Sequence, residues 1–505
     1  MGPKIHLDSG IILPIAVRLF NNKGMFSPER EPHPCVAEIK YLMQPVDLSI
    51  TNNGNENIIH LNVANLGTVE PVKINVTNRY VFRDLSHLTW TWQLICDRST
   101  ASLLEGTSPT ENGLTCLNIS KALTKILAVE RLQTSKLDCK YFLNIQGRLK
   151  ASESWADAGH VVINHQWPIR FSWDEGTKSF EIPKPIISSE VTLGPLRVVV
   201  DETAIQISRG PSSPFVRLSK TSGRIQSLCW KDDGTGNVLF GDEGIRPNFT
   251  RATTDNDRGG MELVLVHMKF TWARRFFEWT EGLDAFSYEL RWKMKGLSQE
   301  LPPTTICDSI SVIREEDNVV EIEAICSVMS SGRQRLFHQT IRYEIYGNGH
   351  IRVSSHVVPT KFVQTLRSLP RVGLSFQVDP SLFKIQYFGR GPLENYPDRK
   401  SGSHFGIWNT APSSMGYEYI VPSENGSRSD CEWIAFGTSD RDMKDRGLLV
   451  VADPGSKFSC SALLHSAAEY HHADHTCDLD ERQDGNHPIH VNLDHQLMGL
   501  GGDVR

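Results

Sequence analysis

The chain has 505 residues, 39% of them apolar, and a formal charge of -6 from 53 basic and 59 acidic side chains. That length exceeds what one hydrophobic core usually serves, so roughly two to four globular units are expected. The intermixed charges offer no basic stripe for a phosphate backbone and no like-charged block for a membrane surface, and no apolar run reaches the roughly 18 residues of a bilayer-spanning helix. Nucleic acid and membrane are set aside as partners.

At the amino end, the apolar patch from Ile11 to Phe20 is broken by Pro14 and Arg18, and no small-residue cleavage site follows. It reads as a strand or tail and not as a secretory signal, so a cytoplasmic chain is expected. The cysteines agree with this. Cys35, Cys96, Cys116, Cys139, Cys229, Cys307, Cys326, Cys431, Cys460 and Cys477 are scattered without a CxxC, as reduced thiols of a large chain would be. The glycosylation-like triplets at Asn75, Asn118, Asn248 and Asn425 would matter only in a secreted protein.

Pro32-His33-Pro34 followed by CVAEIKYLM predicts a short helix, with Val36, Ile39 and Met43 at helical spacing and proline at its entry. The period then changes to two. INVTNRYVFRD and LTWTWQLICD alternate apolar with polar residues, Trp90 and Trp92 sharing a face, as half-buried antiparallel strands do. TNNGNENIIH, which holds Gly54-Asn55-Glu56, reads as a hairpin turn. IPKPIISSEV, after the strand-like FSWDEGTKSFEI, marks a break. The expected units are 1–45, a tail with the helix; 46–185, a β-sandwich; and 186–505, a larger β domain. In the last, TIRYEIYGNGHIRVSSHVV places Ile341, Tyr343 and Ile345 on one face, then Ile351 and Val353, which predicts a hairpin closed by a two-residue Asn348-Gly349 turn. The fold class expected is all-β.

Three segments are candidates for chemistry. In TDNDRGG, Asp255, Asn256, Asp257, Arg258 and Gly259 offer acceptors and donors suited to adjacent sugar hydroxyls; the same residues also suit a turn whose carboxylates cap backbone N–H groups. In HSAAEYHHADHTCDLD, His465, His471, His472, His475 and Cys477, with His487, His490 and His495 beyond, are zinc-ligand types, and His471 and His475 would share a face if helical. The spacing matches no compact zinc motif, so a polar loop changing charge near pH 6.5 is the preferred reading, with no metal residue assigned. In YFGRGPLENYPDRKSG, Tyr387 to Gly402, glycines and prolines set a kinked path that Glu394, Asp398 and Arg399 can lock by charge-assisted hydrogen bonds.

That last string strongly resembles the carboxy-terminal signature of long, bacterial-type β-galactosidases of glycoside hydrolase family 2. Other stretches resemble the same family in order: GMFSPEREPHPCVAEIK (24–40), NRYVFRDLSHLTWTWQL (78–94), SWADAGHVVINHQW (154–167), RATTDNDRGG (251–260), VPSENGSRSDCEW (421–433) and MGLGGD (498–503). The resemblance implies an immunoglobulin-like sandwich followed by a galactose-mutarotase-like supersandwich, with the short helix left from the end of a catalytic barrel. It implies that TDNDRGG borders a sugar site. It also implies a retaining hydrolase with two glutamates about 5 Å apart, both in a barrel that would lie upstream of Gly24.

Only twenty-three residues precede Gly24, and Lys23 stands where the family usually has asparagine. Gly54-Asn55-Glu56 imitates the family's acid/base string but sits in a predicted hairpin. No catalytic residue is therefore expected in this chain. The magnesium and sodium common in the family are expected to belong mainly to the missing barrel, leaving no cofactor here. After Asp503 the family has a sugar-stacking tryptophan, which is not found before Arg505, so weaker sugar binding and an unpaired sheet edge are expected. The partners implied are a galactoside, a barrel-bearing catalytic chain and a second copy of this chain.

Overall fold

The computed structural model of the chain describes residues 25–27, 30–50, 58–62, 73–97, 99–108, 116–118, 140–172, 195–209, 214–229, 236–258, 287–438 and 447–500. The amino-terminal patch, the Gly54-Asn55-Glu56 turn, the IPKPIISSEV break, Gly259 and residues 501–505 lie outside these.

Helix α1 spans Cys35–Leu42 with Pro34 at its N-cap. Its apolar residues do not form a core face: none is buried, and Met43 is 76% exposed. The helix is instead held by polar and aromatic contacts. Glu38 Oε2 accepts the Gly402 N–H at 2.6 Å, and Tyr41 stacks on His165 and meets His404 edge-on.

The first β unit comprises β1 (Val46–Ile50), β2 (Ile59–Asn62), β3 (Lys73–Asn78), β4 (Leu88–Cys96), β5 (Ser99–Ser108), β6 (Cys116–Asn118), β7 (Tyr141–Leu149) and β8 (Val161–Ser172). Among the described residues they form a sheet β1-β3-β6 and a sheet β2-β8-β7-β4-β5, antiparallel except for β2 beside β8. Leu88, Trp90 and Leu94 enter one core with Ile74, Ile145 and Trp167, and Trp92 packs against it, as alternation predicts. INVTNRYVFRD does not stay a strand. β3 ends at Asn78, whose side-chain oxygen takes the Tyr80 N–H in an Asx turn, and this turn leaves Phe82 99% exposed.

The second unit contains β9 (Leu196–Val200), β10 (Ala204–Arg209), β11 (Val216–Ser219), β12 (Ile225–Leu228) and β13 (Arg246–Asn248). After α2 (Asp255–Arg258) and α3 (Tyr288–Met294) come β14 (Thr304–Glu316), β15 (Val319–Met329), β16 (Arg335–Tyr346), β17 (Ile351–Pro359), β18 (Arg371–Val378), β19 (Lys384–Gly391) and β20 (His404–Thr410). The chain continues through α4 (Pro412–Met415), β21 (Arg428–Cys431), β22 (Trp433–Gly437), β23 (Gly447–Val451), β24 (Phe458–Leu463), α5 (Ala467–His472) and β25 (Ile489–Leu497).

Among the described residues four sheets result: β12-β11-β10-β9, β14-β15-β16-β17, β20-β19-β22-β23 and β13-β18-β25-β24-β21. Their inner faces share one core running from Ile207 and Leu218 through Ile322 and Tyr343 to Phe376, Ile434 and Val491. This all-β layering, sandwich then larger stacked-sheet unit, is the expected architecture.

The β16/β17 hairpin keeps its predicted faces, Ile345 opposite Ile351, but its connection differs. Tyr346 N–H bonds the His350 carbonyl and Gly349 N–H bonds the Tyr346 carbonyl, so the loop has three residues, Gly347 to Gly349. Of these, Gly349 alone takes positive φ, at 89°, as in a type I turn followed by a glycine bulge.

Candidate functional site

RATTDND builds a turn from its own side chains. Thr254 N–H donates to Asp257 Oδ2 at 2.9 Å, and Asp257 N–H lies 3.3 Å from Thr254 Oγ1. This reciprocal cap starts α2, because a hydroxyl and a carboxylate three residues apart satisfy the orphan donors of a first helical turn. Arg251 then closes on it. Its Nε and Nη2 reach Asp257 Oδ2 and Oδ1 at 3.1 and 2.6 Å, and both side chains are fully buried. Desolvating such a pair is costly unless every donor is met. The remaining Arg251 nitrogen is met by the Met498 carbonyl at 2.6 Å, with Trp292 beneath the guanidinium.

The predicted residues therefore divide. Asp257 is an anchor with no exposed surface, and Asn256 Nδ2 donates to the Leu500 carbonyl at 2.7 Å. Asp255 and Arg258 are partly exposed. Arg258 Nε donates to Thr253 Oγ1, which also contacts Glu289 Oε1 and His471 Nδ1 at 3.2 and 3.1 Å. The histidine segment thus reaches this turn through α5. Burial, aided by the Arg258 cation, lowers His471 to about 4, and burial lowers His490 to about 4. Neither of these two changes charge near pH 6.5. His471 and His475 do not share a helical face either: α5 ends at His472, and His475 caps the next turn.

Three of the family-like strings, 251–260, 387–402 and 498–503, meet around residues 498–500, at the end of β25, and a fourth, 421–433, packs on the second of them. Gly499 lies against the Asp398 carboxylate, which would have to shift to admit a methyl there. Within the 387–402 string, Glu394 accepts from Arg399, from Tyr419 Oη at 2.8 Å and from Gly426 N–H at 2.6 Å. Asn395 ties the string to β21 by accepting the Ser429 N–H at 2.8 Å. Of the three residues expected to lock the string, Glu394 and Arg399 pair with each other, and Asp398 lies against Gly499.

Deeper still, Arg371 lies 2.8 Å from both Glu424 and Asp494, all three almost entirely buried. Two carboxylates around one guanidinium leave an excess negative charge, and burial pushes Asp494 up to about 7. Arg251 and Arg371 were missed in the sequence. Arg371 carried no local signal, since its partners are 53 and 123 positions away, whereas the Thr254-x-x-Asp257 spacing was a readable capping pattern.

A cleft of about 540 Å³ opens beside the end of β25. Lys400, Asp430, Lys457 and Met498 are on its wall, and Arg371 borders it. Asp255 to Arg258 do not line it. Among the described residues, no three His, Cys, Asp or Glu side chains stand where they could hold a metal ion.

Two family models match the chain: "Beta-galactosidase, domain 4" over residues 74–170 and "Beta galactosidase small chain" over residues 212–504. Similar curated proteins are beta-galactosidases from Pseudoalteromonas haloplanktis, 28% identical over 494 residues, and from Photobacterium profundum, 26% identical over 489. Each alignment covers 96% of this chain and 40% of the relative, so the chain spans well under half the length of the proteins it matches. The second model covers more than half of the sequence, including every residue that meets at 498–500. The chain belongs to the beta galactosidase small chain family, with a beta-galactosidase domain 4 segment ahead of it.

Proposed function

We propose that this chain is the non-barrel part of a glycoside hydrolase family 2 β-galactosidase, acting in the cytoplasm on galactoside metabolism, and that alone it does not hydrolyse galactosides. Its units are 1–45, 46–185 and 186–505, and its sugar-facing element is the turn Asp255, Asn256, Asp257, Arg258 and Gly259. The observation that carries the reading is the meeting of three family strings, 251–260, 387–402 and 498–503, at residues 498–500, with Asp255 and Arg258 left partly exposed at the rim. In this reading Asp257 works from below, fixing the loop.

Retaining hydrolysis needs two carboxyl groups about 5 Å apart that a sugar can reach. Glu424 and Asp494 converge on Arg371 but are 5% and 1% exposed, which supports inertness at this site. No helix among the described residues is long and apolar enough to cross a membrane.

The test is an assay of the purified chain with a chromogenic β-galactoside, expected to give no turnover above background. Galactose titration followed by amide NMR should shift the signals of Asp255 to Gly259. Silence there at high sugar removes the binding reading.

A second reading is favoured by the coverage of relatives: the chain docks onto a barrel-bearing chain and completes a hydrolase. Mixing the two should restore turnover. Persistent inactivity with both parts folded rejects it.

A further inference from the structure

We propose that Cys307 and Cys326 form an oxidant-responsive disulfide site on the β14/β15 pair. The two residues stand directly opposite each other. Cys307 N–H bonds the Thr221 carbonyl at 3.0 Å, pointing away from β15. This makes them a non-hydrogen-bonded pair, whose Cα atoms are typically about 4.5 Å apart, within the range a disulfide spans.

Both sulfurs turn to the same spot. A methyl placed on Gly223 would lie 2.9 Å from Cys326 Sγ and 3.2 Å from Cys307 Sγ, and Gly223 holds φ +68°, a conformation that suits a residue without Cβ. The glycine turn thus leaves the two thiols facing each other.

Access is asymmetric, as such a site requires. Cys307 is partly exposed, whereas Cys326 is 1% exposed. A peroxide can therefore reach the first sulfur, and the second can resolve it. The Cys307 thiolate attacks one peroxide oxygen, breaking the O–O bond and giving a sulfenic acid with loss of hydroxide. Cys326 sulfur then displaces that oxygen, and hydroxide leaves as water after taking the thiol protons. Two thiols and one hydrogen peroxide become one disulfide and two waters.

Burial raises both thiol pKa values, Cys326 to about 12, so the reaction is slow at neutral pH and quickens as pH rises. A second close pair among the described residues, Cys431 and Cys460, has its sulfurs 3.5 Å apart, but both residues are 0% exposed. It offers an oxidant no comparable entry.

The folded full chain should be treated with hydrogen peroxide at pH 7 and pH 9, alkylated, and digested without reduction. The exposed Cys477 reports that the oxidant is active. The expected result is a linked peptide joining Cys307 and Cys326, lighter by two hydrogens than its separate halves. It should form faster at pH 9, disappear with dithiothreitol, be absent in Cys307→Ser, and accompany a higher Tm in wild type alone. The proposal is overturned if both cysteines stay alkylatable while Cys477 reacts, or if Cys307 proceeds to sulfinic acid without linking. It is equally overturned if the linked peptide arises only from unfolded chain.

Discussion

Arg251 and Asp257 are a fully buried ion pair whose value lies in completeness: two mutual hydrogen bonds, a cap at Thr254 and the Met498 carbonyl leave little charge unmet. Removing one partner strands the other in a dry interior. Asp257→Ala should lower unfolding free energy by about 3–5 kcal/mol in urea titration. Asp255→Ala, at the partly exposed rim, should stay within about 0.5 kcal/mol yet lose the galactose-induced NMR shifts.

The buried titratable groups also set the response to acid. Burial lowers His165, His471 and His490 to about 4 and His404 to about 3. With folded pKa values below the unfolded value near 6.5, protons bind the unfolded chain preferentially, so their contribution to stability is lost as pH falls from about 6.5 towards 4. Asp494 has the opposite sign. Its folded pKa near 7 exceeds an unfolded value of 3.8, so its contribution is present at low pH and is lost as pH rises through 7. Four histidines outweigh one acid, and Tm should fall between pH 6.5 and 4. Asp494→Asn should make that fall steeper.

Elements show which local signals suffice. The alternation in β4 and β16 was readable because a strand with one buried face must alternate, and Leu88, Trp90, Ile341 and Tyr343 all point inward. Turn length was not readable from Asn348-Gly349 alone. Both two- and three-residue loops use such a pair, and the Tyr346 to His350 bonding selects the longer one. Gly349→Ala should destabilise the chain by about 1–2 kcal/mol in thermal or urea unfolding, because an L-residue is strained in the left-handed region. In α1 the helical period was real, but Val36, Ile39 and Met43 bury no stripe. Helical spacing states that a face exists and not what covers it.

On the scale of the whole molecule, the two β units meet along a seam that uses a side chain as a strand mimic. Gln166 donates to the Phe405 carbonyl at 2.8 Å and accepts its N–H at 2.7 Å, beside the Phe142, Phe388 and Phe405 rings. Lys140 pairs with Glu432 across the same seam at 2.5 Å, and α1 contacts both sides of it. Gln166→Ala strands the Phe405 backbone groups, at a cost of about 1–3 kcal/mol. Differential scanning calorimetry should then resolve one broad endotherm into two if this seam couples the units.

Period and turn chemistry along the chain were enough to establish an all-β protein and a short leading helix, since these depend on neighbours a few positions apart; the family was legible only through the resemblance of its strings to known ones. The lock at residues 498–500, Arg371 between Glu424 and Asp494, the depressed histidines and the facing thiols over Gly223 were decided by tertiary packing. Each arises where burial removes water from a polar group, and the partner that replaces that water lies across a sheet, at a separation in sequence that no local pattern encodes.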